Sequence, residues 1–353
     1  MICPHCAKNL LRKERTGNTC SHCRRTYALD PKTNSLGLHD LRVRRVAAKV
    51  TAEGSIAVTA DQLWYALSRS RLRKAGYTPG CAGAALGFGL FTGFFGLGFE
   101  SAFVLAVAGG LLLVGAAFTV AWAVGVDRGF PAMPRAAFEP QALRHWRSRY
   151  GGLPPGIIDA ARAPAGDDGA SAAASPGTAV LLCPDPAVRV FLAASGLPAR
   201  FGVLLADDLD AVRALPGDGP VIVLRDADAW GEFFVRDVRA ALDRRRVVDA
   251  GLPVRSVVAR AGAVPYRDRG SVPDRRTMAR LTDSGDFTGR ELKWMGRGWR
   301  FPLVALPPAR LLAVFTRVAG QAARTADPEH ARASGVGFMT WPGPESPGAG
   351  GPG

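Results

Sequence analysis

Two pairs of cysteines near the start of the chain have the spacing of a metal site. Cys3 and Cys6 belong to the sequence CPHC, Cys20 and Cys23 belong to CSHC, and thirteen residues separate the pairs. A gap of two residues lets a tight turn direct both sulfur atoms at one ion, and two such turns complete a tetrahedral site without an open position for a substrate. The sequence therefore predicts a structural zinc site, and iron held by the same four thiolates is the alternative.

Carboxylates that follow apolar runs in the second half of the chain are the other residues that could do chemistry. Asp185, Asp226 and Asp228 each lie just after such a run. If the runs are parallel strands, their carboxyl ends meet at one edge of a sheet, where functional groups gather. Carboxylate oxygens suit Mg²⁺, so the three aspartates are candidate ligands for phosphoryl chemistry. The alternative is that they end strands and cap helices.

The segment 1–33 resembles the zinc-ribbon family in its two cysteine turns, in the predicted strands at 9–14 and 24–29, and in the turn between them. The resemblance implies that Cys3, Cys6, Cys20 and Cys23 are the ligands. It also implies binding of nucleic acid, binding of protein, or a purely structural role. Basic side chains around the site could contact phosphates or anionic lipid; they are Lys8, Arg12, Lys13, Arg15, Arg24 and Arg25.

The sequence from Asp226 to Gly231, DADAWG, resembles the DxDxxG motif of Toprim domains. In that family two such carboxylates and a glutamate from an earlier strand hold Mg²⁺. The resemblance implies this role for Asp226 and Asp228. Here the earlier strand ends in Cys183-Pro184-Asp185, so Asp185 would replace the glutamate.

Charge and cysteine usage narrow the class of protein. The formal net charge of +15 is compatible with nucleic acid or an anionic surface as partner, but nearly all basic residues are arginines, which indicates a compositional bias, so nucleic acid is not favoured. The basic, aromatic-rich run 290–300 is a second candidate surface for bases or lipid headgroups.

Clustered thiols with two isolated cysteines, Cys81 and Cys183, do not form a disulfide framework and favour a reducing environment. No glycine-rich nucleotide-binding motif is present, so a phosphate cradle is not predicted.

A long apolar stretch, 79–126, contains Glu100 as its only charged residue. Its length exceeds one membrane crossing, which predicts a hairpin of two transmembrane helices at 79–98 and 102–126. Arginine-rich flanks predict that both termini are cytoplasmic, in a two-pass protein of the cell membrane. A buried hairpin of a protein without spans is the alternative. Glycines spaced four residues apart in the first helix favour close packing, within the hairpin or in a homodimer.

The remaining chain predicts a multidomain protein. A short helical segment occupies 34–78, a juxtamembrane helix and linker occupy 127–177, and a disordered tail occupies 326–353. Alternating strands and helices over 178–325 predict an α/β domain with a mostly parallel, Rossmann- or Toprim-like sheet. The predicted strands are 179–183, 201–206, 221–226, 254–259 and 301–306.

These features favour a membrane-tethered cytoplasmic scaffold or regulatory protein. It would display a structural Zn²⁺ ribbon and a non-catalytic α/β domain to a protein partner, with membrane lipids around the hairpin. The alternatives are a Mg²⁺-dependent, Toprim-like phosphoryl transferase or nuclease, and a membrane-bound nucleic-acid-binding protein.

Overall fold

The computed structural model describes residues 1–74, 87–92, 94–95, 102–124, 129–159, 177–215 and 217–326. We call residues 135–150 the connecting helix; it consists of an α-helical turn (Arg135–Phe138), a π-helical turn (Glu139–Leu143) and a second α-helical part (Arg144–Tyr150). The other helices are α1 (Asp40–Val50), α2 (Ala60–Lys74), Ala102–Val124, Pro186–Ala194, Leu197–Phe201, Leu209–Ala214, Ala229–Ala241, Val254–Ala259, Arg275–Asp283, Gly289–Gly296 and Pro308–Ala326. The strands are β1 (Val58–Thr59), β2 (Ile157–Ile158), β3 (Val180–Leu182), β4 (Leu204–Ala206), β5 (Val221–Val223), β6 (Val247–Asp249), β7 (Tyr266–Arg267) and β8 (Trp299–Arg300).

The central sheet contains β3 to β6 in the order β4-β3-β5-β6, with every neighbouring pair parallel. This confirms the predicted mostly parallel sheet. Its strands are short continuous apolar runs because helices and loops cover both faces. One face packs against buried residues such as Phe191 and Phe315, and the other against Val235 and Val238.

Two predicted strands of the α/β region are wrong, because Val254–Ala259 is a helix and Leu303–Ala305 is a 3₁₀ turn; the fourth strand of the sheet is β6. The predicted ribbon strands, 9–14 and 24–29, are also wrong, since Arg12–Glu14 is a 3₁₀ turn and Asn9 and Thr26 each form a single bridge. Val254 and Val257 are the buried residues of the helix Val254–Ala259, and they are three positions apart, which is a helical spacing. A short apolar run does not distinguish a strand from one turn of buried helix by composition alone.

A second core lies between α1, α2, the connecting helix and part of the α/β region. Trp64 is fully buried there and donates a hydrogen bond from Nε1 to the carbonyl of Met133, at 3.0 Å. Tyr65 donates from its hydroxyl to the carbonyl of Val264, at 2.9 Å. Thr59 and Gln62 begin α2 as the capping pattern predicts, because the Gln62 side chain accepts from the Thr59 N–H at 3.0 Å.

The predicted transmembrane hairpin is wrong on the evidence of the described residues, since none of their helices combines the length and the apolar character needed to cross a membrane. The prediction was based only on the composition and the length of the stretch. Within the first predicted span, 79–98, the described residues are 87–92 and 94–95, which are helical. Gly89 in this part lies against Leu112 of the helix Ala102–Val124. The predicted turn at Glu100 lies outside the described residues.

The predicted localisation is corrected by the same finding. A two-pass topology in the cell membrane with cytoplasmic termini required two spans, and the described helices provide none. The juxtamembrane helix is also corrected in its environment. The predicted helix, 138–150, forms most of the connecting helix, but Leu143 and Trp146 are buried in the protein core rather than against lipid. The linker at 161–176 and the tail from 327 onward lie outside the described residues.

Candidate functional site

The four cysteines predicted as ligands come together in the structure. The Sγ atoms of Cys3 and Cys23 are 3.8 Å apart, those of Cys6 and Cys20 are also 3.8 Å apart, and all four lie within 4.8 Å of one another. A tetrahedral ion with metal–sulfur bonds of about 2.3 Å requires sulfur atoms about 3.8 Å apart. The cluster therefore fits a metal ion, in an arrangement compatible with a zinc ribbon.

The two cysteine turns have equivalent backbone geometry. In each, the first cysteine donates its N–H to the residue five positions later, Cys3 to Lys8 at 2.9 Å and Cys20 to Arg25 at 3.0 Å. The residue after each pair has a left-handed backbone, with φ of 58° at Ala7 and 60° at Arg24. The left-handed residue turns the chain back beneath the sulfurs, which is a conformation that costs about 1 kcal/mol or more for a residue with a side chain.

Backbone N–H groups also point at the sulfur atoms. The N–H of His5 donates to Cys3 Sγ at 3.4 Å, and the N–H of Cys23 donates to Cys20 Sγ at 3.5 Å. The latter hydrogen bond is the main cause that lowers the pKa of Cys20 to about 7. A thiolate is the form that binds a metal, so this environment favours the ligand form of Cys20.

Buried polar contacts attach the ribbon to the helices, and no local sequence pattern predicts them. The fully buried carboxylate of Asp40, at the start of α1, accepts from the N–H groups of Ala28 and Leu29 at 3.0 and 2.9 Å. Within the ribbon, Arg15 and Asp30 form a buried ion pair at 2.8 Å. Because breaking such a pair leaves an unpaired buried charge, it fixes the ribbon's second half against its first.

The three candidate aspartates lie in one cleft of about 1470 Å³ at the carboxyl ends of β3 and β5. In a sheet of order β4-β3-β5-β6, the chain leaves β3 for β4 on one side and returns to β5 on the other. This point, where the strand order reverses, is where open α/β sheets bind ligands. The cleft lining contains ten carboxylates but five arginines, so its charge disfavours polyanions.

Arg300 occupies the centre of the acidic group. Its guanidinium lies 2.5 Å from Asp226, 3.6 Å from Asp228 and 3.0 Å from Asp268. An antiparallel bridge between Ala227 and Phe301 holds Arg300 beside β5. The basic run 290–300 thus directs one of its members into the α/β cleft.

Arg135, the first residue of the connecting helix, engages the third candidate aspartate. It forms a bidentate pair with Asp185, with both distances 2.9 Å, and contacts Asp61 at 2.8 Å. Asp185 also caps the helix Pro186–Ala194 by accepting from the Ala187 N–H at 2.9 Å. Arg135 and Arg300 were missed at the sequence level because their partners lie 50 or more positions away in the chain.

The environments of the aspartates move their pKa values in opposite directions. Burial raises the pKa of Asp226 to about 6; the charge of Arg300 opposes this rise, and repulsion from Asp228 and Asp185 adds to it. Burial opposes ionisation of Asp185 as well, but the hydrogen bonds from Arg135 lower the pKa of Asp185 below its usual value. Asp228 caps the helix Ala229–Ala241 by accepting from the Gly231 N–H at 2.7 Å, as the alternative reading of the DADAWG sequence predicts.

Convergence in one cleft does not make the aspartates a metal site. Within the residues that the structure describes, the four cysteines are the one group of three or more potential ligands whose donor atoms approach closely enough to share an ion. Cys183 lies two residues before Asp185 in the chain. Its thiol is fully buried, and burial raises its pKa. A buried neutral thiol is unreactive, which agrees with a packing role.

Comparison of the chain with models of protein families, with curated proteins and with solved structures finds no match.

Proposed function

We propose that this protein is an interaction protein, a scaffold or regulator, that displays a structural zinc ribbon beside a non-catalytic α/β domain. The observation that carries this proposal is the pairing of every candidate catalytic aspartate with an arginine. A ribbon whose four sulfurs enclose one ion leaves no coordination position for a substrate. The ribbon therefore stabilises a surface and does not perform a reaction.

Zinc is the ion that we propose for the cysteine cluster. Four thiolates in tetrahedral geometry suit zinc or iron, and zinc is the usual occupant of closed structural sites. Elemental analysis of the purified protein should give one zinc per chain. An absorption band of an iron–thiolate centre, with one iron per chain, would overturn the assignment.

The arginines of the cleft support the non-catalytic part of the proposal. Arg300 contacts Asp226 and Asp228, and Arg135 contacts Asp185, so the positions where Mg²⁺ charge would be needed already hold guanidinium charge. A bound divalent ion would have to displace these ion pairs and leave two partly buried arginines without their carboxylate partners, which is unfavourable. The geometry thus favours the scaffold over the Toprim-like phosphoryl transferase.

Calorimetric titration with MgCl₂ tests this conclusion. The wild-type protein should bind no Mg²⁺ with millimolar or better affinity, whereas Arg300→Ala, which frees three carboxylates, should gain affinity. Asp226→Asn, made both in the wild-type protein and in the Arg300→Ala variant, is the matched control. Submillimolar Mg²⁺ binding by the wild type that is lost in Asp226→Asn would overturn the non-catalytic assignment.

Binding of nucleic acid through the ribbon is a second candidate, favoured by its exposed charges. Five basic side chains around the cysteines are exposed, and none of them forms an ion pair among the described residues; they are Lys8, Arg12, Lys13, Arg24 and Arg25. Free guanidinium and ammonium groups of this kind contact phosphates and make affinity depend steeply on salt.

A matched pair of double variants tests this candidate. Arg24→Ala with Arg25→Ala should make binding to a duplex DNA oligonucleotide less dependent on salt. The slope of log affinity against log salt concentration should fall by the amount expected for the loss of about two phosphate contacts. Arg275→Ala with Arg276→Ala removes the same charge from an exposed site far along the chain and should leave the salt dependence unchanged. Equal losses in both variants would mean that net charge alone, and not the ribbon, attracts DNA.

A further inference from the structure

The connecting helix contacts the cysteine ribbon at one end and the α/β cleft at the other. At its last turn, Arg149 donates from Nε to the carbonyl of Thr26 at 2.9 Å. The same carbonyl is 2.9 Å from Nε2 of His5, which lies inside the first cysteine turn. The Thr26 carbonyl thus joins a residue of the metal centre to the connecting helix.

A second contact at the same end joins the ribbon to the helix through Asp40. Tyr150 donates a short hydrogen bond from its hydroxyl to the Asp40 carboxylate, which also accepts from the N–H groups of Ala28 and Leu29. Asp40 is fully buried, so loss of any donor leaves a buried carboxylate incompletely satisfied. Such a loss is unfavourable by about 1–3 kcal/mol.

At the other end the connecting helix places Arg135 in the cleft, where it holds Asp185 and Asp61. The helix spans 16 residues, or about 24 Å. Its middle is a π-helical turn containing Pro140, which has no N–H to donate. Arg147 spans this turn by pairing with Glu139, and it also contacts Asp159 at 2.8 Å. These contacts make the helix one packed body through its irregular turn.

We infer that the connecting helix couples metal occupancy of the cysteine ribbon to the arrangement of Arg135 and Asp185 in the cleft. With the metal bound, the cysteine turns fix the Thr26 carbonyl and the Ala28–Leu29 backbone, and these fix the last turn of the helix. Without it, the ribbon has almost no core of its own, and that end of the helix loses its anchor. The coupling acts on the structure of the cleft and does not depend on which ligand the cleft binds.

Hydrogen exchange with and without the metal tests the coupling. Removal of the metal from the full-length protein by a chelator should raise the exchange of the Ala187 amide, which is bonded to Asp185, severalfold. The interior amides of β3 and β5 should keep their protection. Unchanged exchange at Ala187 would overturn the inference, and so would an equal loss of protection throughout the sheet, because that would be global unfolding.

Two arginine variants in the last part of the connecting helix test whether the contact with the ribbon carries the coupling. With metal bound, Arg149→Ala should already show part of the increased exchange at Ala187. Arg144→Ala removes an exposed arginine from the same helical part and should behave as the wild type. If both variants change the exchange equally, Arg149 carries no coupling.

The reverse direction gives an independent readout, because coupling between two sites is reciprocal. Arg135→Ala, at the cleft end, should accelerate metal release from the ribbon about fivefold or more, measured with a chromogenic chelator. Metal release at the wild-type rate from a folded Arg135→Ala protein would overturn the inference. The Mg²⁺ titration described above tests the proposed function separately, since neither of its outcomes alters this result.

Discussion

The cysteine ribbon and the central sheet are stabilised by different means. In the ribbon, the buried apolar cluster consists of Cys3, Leu10 and Cys20, two of which belong to the proposed ligand set. The sheet is covered on both faces by separate apolar clusters, each with many buried side chains. A region of about 30 residues cannot bury enough surface to fold alone, whereas the α/β region can. We therefore expect the ribbon to depend on a bound ion and the sheet to depend on apolar burial.

Removal of the metal should produce the largest difference between the two regions. Structural zinc contributes about 10–16 kcal/mol in small zinc-binding peptides, so Cys20→Ser should unfold the ribbon while the sheet stays folded. Hydrogen exchange along the whole chain measures both regions at once. Cys183→Ala, which removes a buried thiol of the sheet, is the control that should retain one metal per chain. One cooperative loss of both regions in Cys20→Ser would contradict separate stabilisation.

A substitution that leaves a cavity in the sheet core should have the opposite effect: it should destabilise the sheet and leave the metal site intact. Phe191 is fully buried on one face of the sheet, so Phe191→Ala should lower the free energy of unfolding by about 3–5 kcal/mol. The metal content should not change. Denaturant unfolding monitored by far-UV circular dichroism measures the first quantity, and elemental analysis the second. Leu11→Ala, at an exposed ribbon position, is the control and should change stability by less than about 0.5 kcal/mol.

The way in which the stability of the α/β region changes with pH should be determined in part by Asp226. Its pKa is raised to about 6, so the folded state binds a proton more tightly than the unfolded state does. The stabilisation from this proton is complete below about pH 4, where the unfolded carboxyl is also protonated, and is lost as the pH rises through about 6. Asp226→Asn should remove this loss, which is on the order of 2 kcal/mol. Thermal unfolding between pH 4 and 7 checks the difference.

Asp185→Asn is the matched control for that measurement. The pKa of Asp185 is lowered, so its contribution is present at higher pH and is lost as the pH falls. Parallel stability curves for the two variants would show that the aspartates do not have the opposite environments described above.

The smallest expected effect is that of an alanine-to-glycine substitution, which should change stability in opposite directions in the two regions. Ala7 has a φ of 58° in the first cysteine turn, where glycine is favoured, so Ala7→Gly should stabilise the metal-bound ribbon by about 1 kcal/mol. Ala240 is exposed in the helix Ala229–Ala241, where the same substitution should cost about 1 kcal/mol. Metal competition measures the first effect and denaturant unfolding the second. The same sign at both sites would contradict the left-handed geometry at Ala7.

Local sequence patterns predicted several elements correctly because their causes lie within a few residues. Two-residue gaps between cysteines force tight turns, so Cys3, Cys6, Cys20 and Cys23 could be identified as a ligand set without any knowledge of the fold. Apolar runs followed by aspartate caps predicted β3, β4 and β5, since strand burial and helix capping act over short distances.

Predictions that depended on the surroundings of a segment were less accurate. The apolar stretch 79–126 predicted two spans from hydropathy alone, and none of the described helices is able to cross a membrane. The run 254–259 has the composition of a strand and the buried spacing of a helix. In each case the same residues are compatible with two environments, and only packing against the rest of the chain distinguishes them.

The amino-acid sequence by itself predicted the cysteine cluster and the first three strands of the central sheet, because both depend on neighbouring residues. Only the tertiary structure decided the chemistry of the cleft. It placed Arg300 among Asp226, Asp228 and Asp268, and it placed Arg135 on Asp185 across 50 positions of chain. A carboxylate's capacity to bind a metal depends on the charges within a few ångströms of it, and those charges come from distant segments that only folding brings together.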